Sequence, residues 1–159
     1  MELSSVITKS PRETIVSAKK FLEKALKEAK EDAPLIFYLE GELGAGKTHF
    51  VKGLAEALSI TDNITSPTFV LMKKFAVSGN AAAQQAGKKL FFHIDCYRIY
   101  DAEDARQIGL DKILENPRAI VAVEWAERIS EIVPKPYWKL TFRHVDDKTR
   151  KIVAKNVER

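Results

Sequence analysis

Apolar residues in the first part of the chain recur every three or four positions, at Ile15, Ala18, Phe21, Leu22, Ala25, Leu26 and Ala29. This period predicts one amphipathic helix over residues 11–30. The segment before it, Ser10-Pro11-Arg12-Glu13, has the features of a helix start: a serine cap, a proline at the first helical position and a glutamate placed for a capping box. The same spacing from Phe50 to Leu58 predicts a second helix over about residues 47–59.

Short apolar runs predict strands at residues 35–39, 90–98 and 119–124, an extended segment in TSPTFVLMKKF (65–75), and a closing hairpin over 137–153. Residues 77–89 are small and polar, which predicts a mobile connection between two strands. A helical stretch opens at Asp101 and ends at Asn116-Pro117. Because strands alternate with helices early on and hairpin-like pairs occur in the middle and at the end, we expect an α/β domain with a mixed sheet.

Composition narrows the class of protein. The 159 residues predict a single domain over 1–159, and the 45% hydrophobic and 30% charged content is typical of a globular protein. One cysteine, Cys96, excludes an internal disulfide framework. The net charge of +4 permits nucleic-acid contact without requiring it, and the basic clusters on the first helix and over 148–159 have the pattern of solvated surface. No signal-peptide core and no membrane-length run is present, so we expect a cytoplasmic protein with no membrane partner.

The stretch GELGAGKT, residues 41–48, matches the pattern G-x-x-x-x-G-K-[ST] and lies between a predicted strand and a predicted helix. Glycine allows the backbone to curl so that its N–H groups surround a phosphate, and the following helix points its free amides at the same anion. Lys47 would reach the β- and γ-phosphates, and the Thr48 hydroxyl would ligate Mg²⁺. The alternative is a glycine-rich turn, which needs fewer special residues.

Two carboxylates end apolar strands, Asp95 in LFFHID and Glu124 in IVAVE. A carboxylate beside such runs is costly unless it meets a metal, a donor or water. Both lie where α/β sheets bind ligands, so we expect a shared site. The alternatives are an ion pair of Asp95 with Arg98 and an ordinary strand-end role for Glu124. The residues alone leave open which carboxylate belongs to the magnesium shell and which orients the attacking water.

Other polar side chains have two interpretations each. In TSPTF, the hydroxyls of Thr65, Ser66 and Thr68 could face a γ-phosphate or cap a turn before a strand. We expect His49 to point off the first turn of its helix and His93 to pack within its strand. His144 shows no metal-ligand spacing with either histidine.

Four motifs occur in one order: GELGAGKT, TSPTF, HIDCYR (93–98) and EWAE (124–127). This order resembles the TsaE family, formerly YjeE, the small P-loop ATPase of bacterial tRNA threonylcarbamoyladenosine synthesis. The resemblance runs from the SPRET helix start to the terminal hairpin. It implies a three-layer P-loop NTPase-like α/β fold with a mixed, mainly parallel central sheet, and weak hydrolysis of ATP bound with Mg²⁺. It also implies a TsaD-like transferase and a TsaB-like companion as partners, and contact with ANN-decoding tRNA through that complex.

Carried over by position, the resemblance assigns roles to particular residues. The catalytic set is Glu124, Lys47 and Asp95, with Glu124 acting on the attacking water and Asp95 in the metal's neighbourhood. The metal set is Thr48, Asp95 and Glu124. The expected nucleotide contacts come from the loop, the two threonines on the γ-phosphate side and an indole able to report binding, namely Gly41, Leu43, Gly44, Ala45, Gly46, Lys47, Thr48, His49, Thr65, Thr68 and Trp125.

The chain departs from the family pattern at three places. His49 stands where a second threonine is usual, Cys96 replaces leucine in D-L-Y-R, and residues 77–89 are longer than the usual connection. Two other functions remain possible from the residues: a small-molecule kinase and a non-hydrolytic module whose binding is gated by nucleotide. Only scattered arginines follow the loop, which disfavours the kinase.

Overall fold

The computed structural model describes residues 3–64 and 71–158. The strands are β1 (Leu3–Thr8), β2 (Leu35–Gly41), β3 (Met72–Ala76), β4 (Leu90–Asp95), β5 (Ala119–Glu124), β6 (Tyr137–His144) and β7 (Arg150–Val157). The helices are α1 (Pro11–Glu28), α2 (Lys47–Ala57), α3 (Ala81–Gln85), α4 (Ala102–Gln107) and α5 (Leu110–Leu114), with a 3₁₀ helix over Ala126–Ile132.

Over the described residues the strands form one seven-stranded sheet in the order β1-β7-β6-β2-β5-β4-β3. The four central strands, β6, β2, β5 and β4, are parallel, whereas β1, β7 and β3 join their neighbours antiparallel. The prediction of a mixed sheet that is mainly parallel at its centre and ends in a hairpin is confirmed. Because parallel strands end at one edge, the ends of β2, β4 and β5 bring Gly41, Asp95 and Glu124 to that edge.

Helices cover both faces of this sheet, which confirms the three-layer fold. On one face, α1 and α2 pack Leu22 and Leu54 against Phe37 of β2 in one core cluster. On the other face, α4, α5 and the 3₁₀ helix pack against β4 and β5 in a second cluster that includes Leu110 and Val121. Strands buried on both faces explain why β2, β4 and β5 are continuous apolar runs without alternation.

The start of α1 follows the predicted capping pattern. The Ser10 hydroxyl accepts a hydrogen bond from the Glu13 N–H at 3.1 Å, and Pro11 is the first helical residue. The Glu13 carboxylate accepts from the Lys9 N–H, one position before the cap. These bonds satisfy backbone donors that an uncapped helix would expose. Both long helices end two residues earlier than the periodicity predicts, α1 at Glu28 and α2 at Ala57.

Residues 77–89 connect two strands, β3 and β4, as predicted, but the segment folds around helix α3, which was not predicted. Asn80 caps this helix: its side-chain oxygen accepts from the Ala83 N–H, and its amide donates to the Ala57 carbonyl, both at 2.9 Å. Ala83 and Ala86 are buried in the α1–α2 core cluster. The alanines are small enough for a short helix to lie close to the core, so composition alone concealed a packed element.

Lys88 anchors the same segment. Its side chain is fully buried, and its ammonium group donates to the carbonyl oxygens of Lys30, Ala33 and Pro117 at 2.7, 2.6 and 2.8 Å. Burial lowers the pKa of Lys88, and the charges of Asp32 and Glu31 partly oppose this. Since an ammonium has three N–H donors, the three carbonyls match it fully. Lys88 thereby ties the end of the α3 segment to the chain just before β2 and β5.

Several further differences concern short elements. Strand β1, which pairs with β7, was not predicted, and neither was the 3₁₀ helix after β5. The predicted helix over 101–116 is two helices, because Gly109 at φ 82° interrupts it. Strand β4 ends at Asp95 and not at Arg98. The first six residues of TSPTFVLMKKF lie outside the described residues, and its last four, 72–75, belong to β3. Across the described ranges, none of the helices is both long and apolar enough to cross a bilayer.

Candidate nucleotide-binding site

The glycine-rich loop joins β2 to α2 at the carboxyl edge of the sheet. Gly46 immediately precedes α2 with φ 104°, in the left-handed region that favours glycine, and the helix begins at Lys47. The loop forms one wall of a cleft of about 460 Å³. The cleft is lined by Leu43, Gly44, Ala45, Gly46, Lys47, Thr48, His49, Asp95, Tyr97, Glu124 and Trp125.

Gly41 allows β2 to approach β6 where the loop begins. Its φ is 144°, and a Cβ atom built there would lie 2.4 Å from the backbone oxygen of Phe142. Gly41 and Phe142 are direct partners in the parallel ladder, so this overlap is with a neighbouring strand and not with a movable side chain. A residue other than glycine would therefore displace either the strand or the loop.

We expect Gly41→Ala to lower the free energy of unfolding by at least about 3 kcal/mol, because the overlap with β6 adds to the backbone strain. Gly109→Ala is the matched control: Gly109 has φ 82°, but a Cβ added there would have no atom within 4 Å, so only strain applies. That control should lose about 1–2 kcal/mol. Urea unfolding followed by circular dichroism measures both. Equal losses for the two variants would show that the close approach to Phe142 does not contribute to the loss in the free energy of unfolding.

The turn of the β6–β7 hairpin supports the loop from outside. The His144 Nε2–H donates to the Leu43 carbonyl at 3.3 Å, and the Arg150 Nε–H donates to the Gly44 carbonyl at 3.3 Å. Arg150 also donates to the Asp146 carbonyl at 2.8 Å within its own hairpin. In a trans peptide the N–H points away from the C=O. The Leu43–Gly44 peptide therefore turns its N–H away from the hairpin.

Lys47 is the positive charge of the cleft. Its side chain is only 5% exposed, and its ammonium donates to the carbonyls of Gly41 and, at 3.0 Å, Glu42. The same nitrogen lies 4.3 Å from the centre of the Trp125 ring, a favourable cation–π distance. The ammonium is therefore held between the loop backbone and an indole, at the entrance to the first turn of α2.

Carboxylates surround this lysine. Burial lowers the pKa of Lys47, and the negative charges of Glu124, Glu127, Asp95 and Glu42 oppose that change. Burial also raises the pKa of Glu127. Two of these carboxylates, Glu124 and Asp95, line the cleft together with the one ammonium of Lys47. A polyphosphate entering it would need additional positive charge, which a divalent cation supplies.

Glu124 contacts the loop helix directly. The Thr48 hydroxyl donates to Glu124 Oε1 at 2.9 Å, and the other carboxylate oxygen, Oε2, lies 2.5 Å from Nε2 of His93. Asp95 faces the same cleft, and its Oδ1 accepts from the Tyr97 N–H at 2.9 Å. Glu124 is therefore hydrogen-bonded to the hydroxyl that the sequence predicts as a metal ligand, and Asp95 faces the same cleft.

The donor set is compatible with a magnesium nucleotide. A Thr48 hydroxyl that gives its proton to Glu124 retains lone pairs for a cation. Within the described part of the chain, no group of three or more His, Cys, Asp or Glu side chains could hold a metal alone. Magnesium in nucleotide sites does not need such a group, because phosphate oxygens and waters complete its shell around one or two protein ligands.

Trp125 turns the chain out of β5 into the site. Its φ is 57°, an uncommon left-handed conformation for a bulky residue, and such strain is often found at binding sites. Its ring packs on Tyr97, with centroids 5.2 Å apart, and the Arg128 guanidinium lies 5.8 Å from it. This conformation places the indole directly over Lys47.

The predicted site residues largely come together. The structure gathers the loop, both carboxylates and the indole around one cleft, with the Gly41 carbonyl bound by Lys47, namely Gly41, Leu43, Gly44, Ala45, Gly46, Lys47, Thr48, His49, Asp95, Glu124 and Trp125. Thr65 and Thr68 lie outside the described residues. His49, on the first turn of α2, is half-buried, and its pKa is lowered by burial and by Lys52.

Sequence reasoning missed two neighbours of the site. His93 packs in its strand as predicted, but it also contacts Glu124, and Tyr97 lines the cleft beside Trp125. Strand periodicity could have found His93, because residues two apart share a face and His93 is two positions before Asp95.

A glycine loop with a buried lysine, set between a strand and a helix of a three-layer α/β sheet, defines a P-loop NTPase-like protein. The family model described as "Threonylcarbamoyl adenosine biosynthesis protein TsaE" matches residues 8–152. The chain therefore belongs to the TsaE family.

Individual relatives agree with this assignment. The chain is 35% identical over 117 residues to the tRNA threonylcarbamoyladenosine biosynthesis protein TsaE of Bacillus subtilis, covering 74% of this chain and 66% of the relative, just under two thirds of its length. It is 31% identical over 140 residues to the Haemophilus influenzae protein of the same name, covering 88% and 78%. Among solved structures, Bacillus subtilis YdiB superposes with a TM-score of 0.72 and 28% identity, covering 98% of this chain and 86% of that one.

Proposed function

We propose that this protein binds ATP with Mg²⁺ in the cleft and hydrolyses it as a component of tRNA N6-threonylcarbamoyladenosine biosynthesis. The observation that carries the proposal is the buried Lys47 on the glycine loop, one residue before a Thr48 hydroxyl that bonds to Glu124. Membership of the TsaE family supports the pathway. The loop, lysine and hydroxyl are the groups that nucleotide triphosphates require.

Each side chain has a proposed task. The loop amides and Lys47 would hold the phosphate oxygens, and Thr48 would ligate the metal. Glu124 would accept a proton from the attacking water, and Asp95 would stand in the neighbourhood of the metal, with both carboxylates as candidate metal ligands. When bound, magnesium supplies the charge that neutralises the phosphates among the acidic side chains. The predicted contacts of Thr65 and Thr68 with the γ-phosphate and of His49 with the nucleotide remain predictions.

The proposed partners follow from the family. We infer that the protein acts with a TsaD-like transferase and a TsaB-like companion, reaches tRNA through that complex and works in the cytoplasm. ATP turnover would support cycling of the transferase complex, and hydrolysis by the protein alone would be weak. The names of the relatives, which refer to biosynthesis of this modified nucleoside in tRNA, support this placement.

The test is phosphate release without a small-molecule acceptor, measured with and without the partner proteins and tRNA. An increase on adding them supports the proposal. Label from the γ-phosphate appearing on a metabolite would instead establish a small-molecule kinase. A wild-type protein that does not bind Mg²⁺-ATP would defeat the assignment of the cleft.

We expect Glu124→Ala to lower the rate of phosphate release by about 10²- to 10⁴-fold, because the carboxylate is the proposed base, while ATP binding is kept. The control is Glu131→Ala, which removes one exposed carboxylate from the nearby 3₁₀ helix. It should leave both quantities unchanged. Should Glu124→Ala sustain full tRNA modification over many catalytic cycles, turnover is irrelevant and the protein is a nucleotide-gated binding module.

A further inference from the structure

Both oxygens of the Glu124 carboxylate are engaged by side chains from different elements. Thr48 on α2 donates to Oε1 at 2.9 Å, and His93 on β4 lies 2.5 Å from Oε2. Glu124 is 3% exposed and His93 is 0% exposed, so the contact between them is shielded from bulk water. The carboxylate is therefore held at two points.

The direction of the histidine contact follows from chemistry. An ionised carboxylate only accepts hydrogen bonds, so the proton of this contact is on His93 Nε2. The other ring nitrogen, Nδ1, is buried and has no hydrogen-bond partner among residues 3–64 and 71–158. Within the described residues, the hydrogen bond to Glu124 is therefore the polar contact that explains why position 93 is a histidine.

An apolar side chain would pack better than histidine at position 93. His93 is in the middle of β4, where it faces Ala122 of β5 and Lys73 of β3 in register. Neighbouring β4 positions such as Phe91 and Ile94 are apolar and fully buried. Burying an imidazole with an unpaired nitrogen is unfavourable, and a leucine would avoid this cost. The histidine is therefore explained by its bond to Glu124 and not by its contribution to the core.

The bond has a consequence for Thr48. With Oε2 fixed by His93, the rotation of the carboxylate is limited and Oε1 stays turned toward the threonine. A threonine hydroxyl has one proton, and here that proton is directed at Oε1. Its lone pairs are then directed away from Glu124. His93 on β4 thereby affects the orientation of the Thr48 hydroxyl at the start of α2, and it does so through Glu124.

We propose that His93 is a positioning residue that orients the Glu124 carboxylate and, through it, the Thr48 hydroxyl. It touches neither nucleotide nor metal itself. The proposal rests on the proposed function, in which Thr48 and Glu124 serve a magnesium nucleotide. Hydrogen bonds that orient metal-binding and catalytic carboxylates commonly contribute 10- to 100-fold to metal affinity or rate.

The experiment compares His93→Leu with His93→Gln in the full chain. Leucine fills much of the volume but has no donor, whereas the glutamine amide places an N–H where Nε2 was. The control is Phe91→Leu, which alters the same face of β4 in the same core without touching Glu124. Circular dichroism and thermal unfolding establish that each variant is folded.

The first measurement compares the effects of the variants on kcat and on KM. We expect His93→Leu to lower kcat for ATP hydrolysis by about 10- to 100-fold, with KM for Mg²⁺-ATP raised by no more than about tenfold. His93→Gln should recover most of kcat, and Phe91→Leu should keep it. A folded His93→Leu protein with wild-type kcat would overturn the proposal, and so would an equal loss in Phe91→Leu.

The second readout does not depend on turnover. Calorimetry with ADP, with and without Mg²⁺, should show that His93→Leu reduces the gain in affinity from Mg²⁺ by about tenfold while leaving the Mg²⁺-free affinity unchanged. Nitrogen NMR of the wild-type imidazole should show the proton on Nε2, and a proton on Nδ1 alone would contradict the proposal. If the wild-type protein neither binds nor hydrolyses ATP, the proposed function fails, whereas the NMR result still tests the His93–Glu124 bond.

Discussion

Lys47→Ala is expected to abolish tight ATP binding. Lys47 is 5% exposed, and its ammonium bonds to the carbonyls of Gly41 and Glu42, at the point where phosphate oxygens would meet the loop. Removing one charge from a buried, hydrogen-bonded charge pair costs about 2–5 kcal/mol, which is roughly a 30-fold to several-thousandfold loss in affinity. The loss is large here because the charged groups that act on this ammonium are carboxylates, namely Glu124, Glu127, Asp95 and Glu42.

Calorimetry with Mg²⁺-ATP measures this effect. Lys52→Ala is the matched control, since it removes the same charge from the same helix at a side chain that lines a different cleft, with Glu56 and Ile60. It should bind ATP as the wild type does. Thermal unfolding identifies any loss of the loop's own structure in Lys47→Ala. Unchanged affinity in a folded Lys47→Ala protein would defeat the site assignment, and with it the proposed function.

Lys88→Met is expected to destabilise the fold by about 2–4 kcal/mol, because three part-buried carbonyls lose the donor that they share. The net loss is smaller than three separate penalties, since the variant also removes the cost of burying the ammonium. Methionine keeps most of the side-chain volume, so the effect reports hydrogen bonding and not a cavity. Urea unfolding followed by circular dichroism measures the change.

The control for Lys88→Met is a substitution of the neighbouring lysine, Lys89. Lys89 is exposed, so Lys89→Met changes the charge without breaking a buried contact and should leave the free energy of unfolding within about 0.5 kcal/mol. Lys88 binds carbonyls just before β2 and β5, at the edge of the sheet opposite the cleft. We therefore expect nucleotide affinity to be unchanged in folded Lys88→Met. A stability equal to that of Lys89→Met would show that the three bonds contribute nothing net.

The sequence predicted those parts of the site that depend on residues close together in the chain. The loop motif lies between a strand and a helix within a few residues, so its position and its relation to α2 follow from pattern alone. Asp95 and Glu124 end apolar runs, and the rule that parallel strands end together was enough to predict a shared edge, which the pairing of these two residues confirms.

The parts that sequence did not predict depend on distances between elements. The contact of Glu124 with Thr48 depends on the order and register of the strands, which no local pattern contains. The contact of His93 with Glu124 has the same origin, because it joins two strands 31 positions apart. A polar residue in an apolar strand could be recognised, but its partner could not.

Composition also misled at residues 77–89. Small, polar residues are typical of exposed connections, yet Ala83 and Ala86 are buried and Lys88 is enclosed by carbonyls. Alanine suits close packing of a short helix as well as it suits a loop, and a lysine can be buried when its donors are fully matched. Neither condition is visible without the surrounding elements.

The support of the glycine loop by the hairpin has a consequence for synthesis of the chain. His144 and Arg150 bond to loop carbonyls 101 and 106 positions earlier, and β7 pairs with β1 at the far end of the sheet. On a ribosome the loop emerges long before these residues do. A nascent chain that has exposed the loop but not the hairpin lacks these two hydrogen bonds, so we expect the loop to take its final shape only after the hairpin has left the exit tunnel.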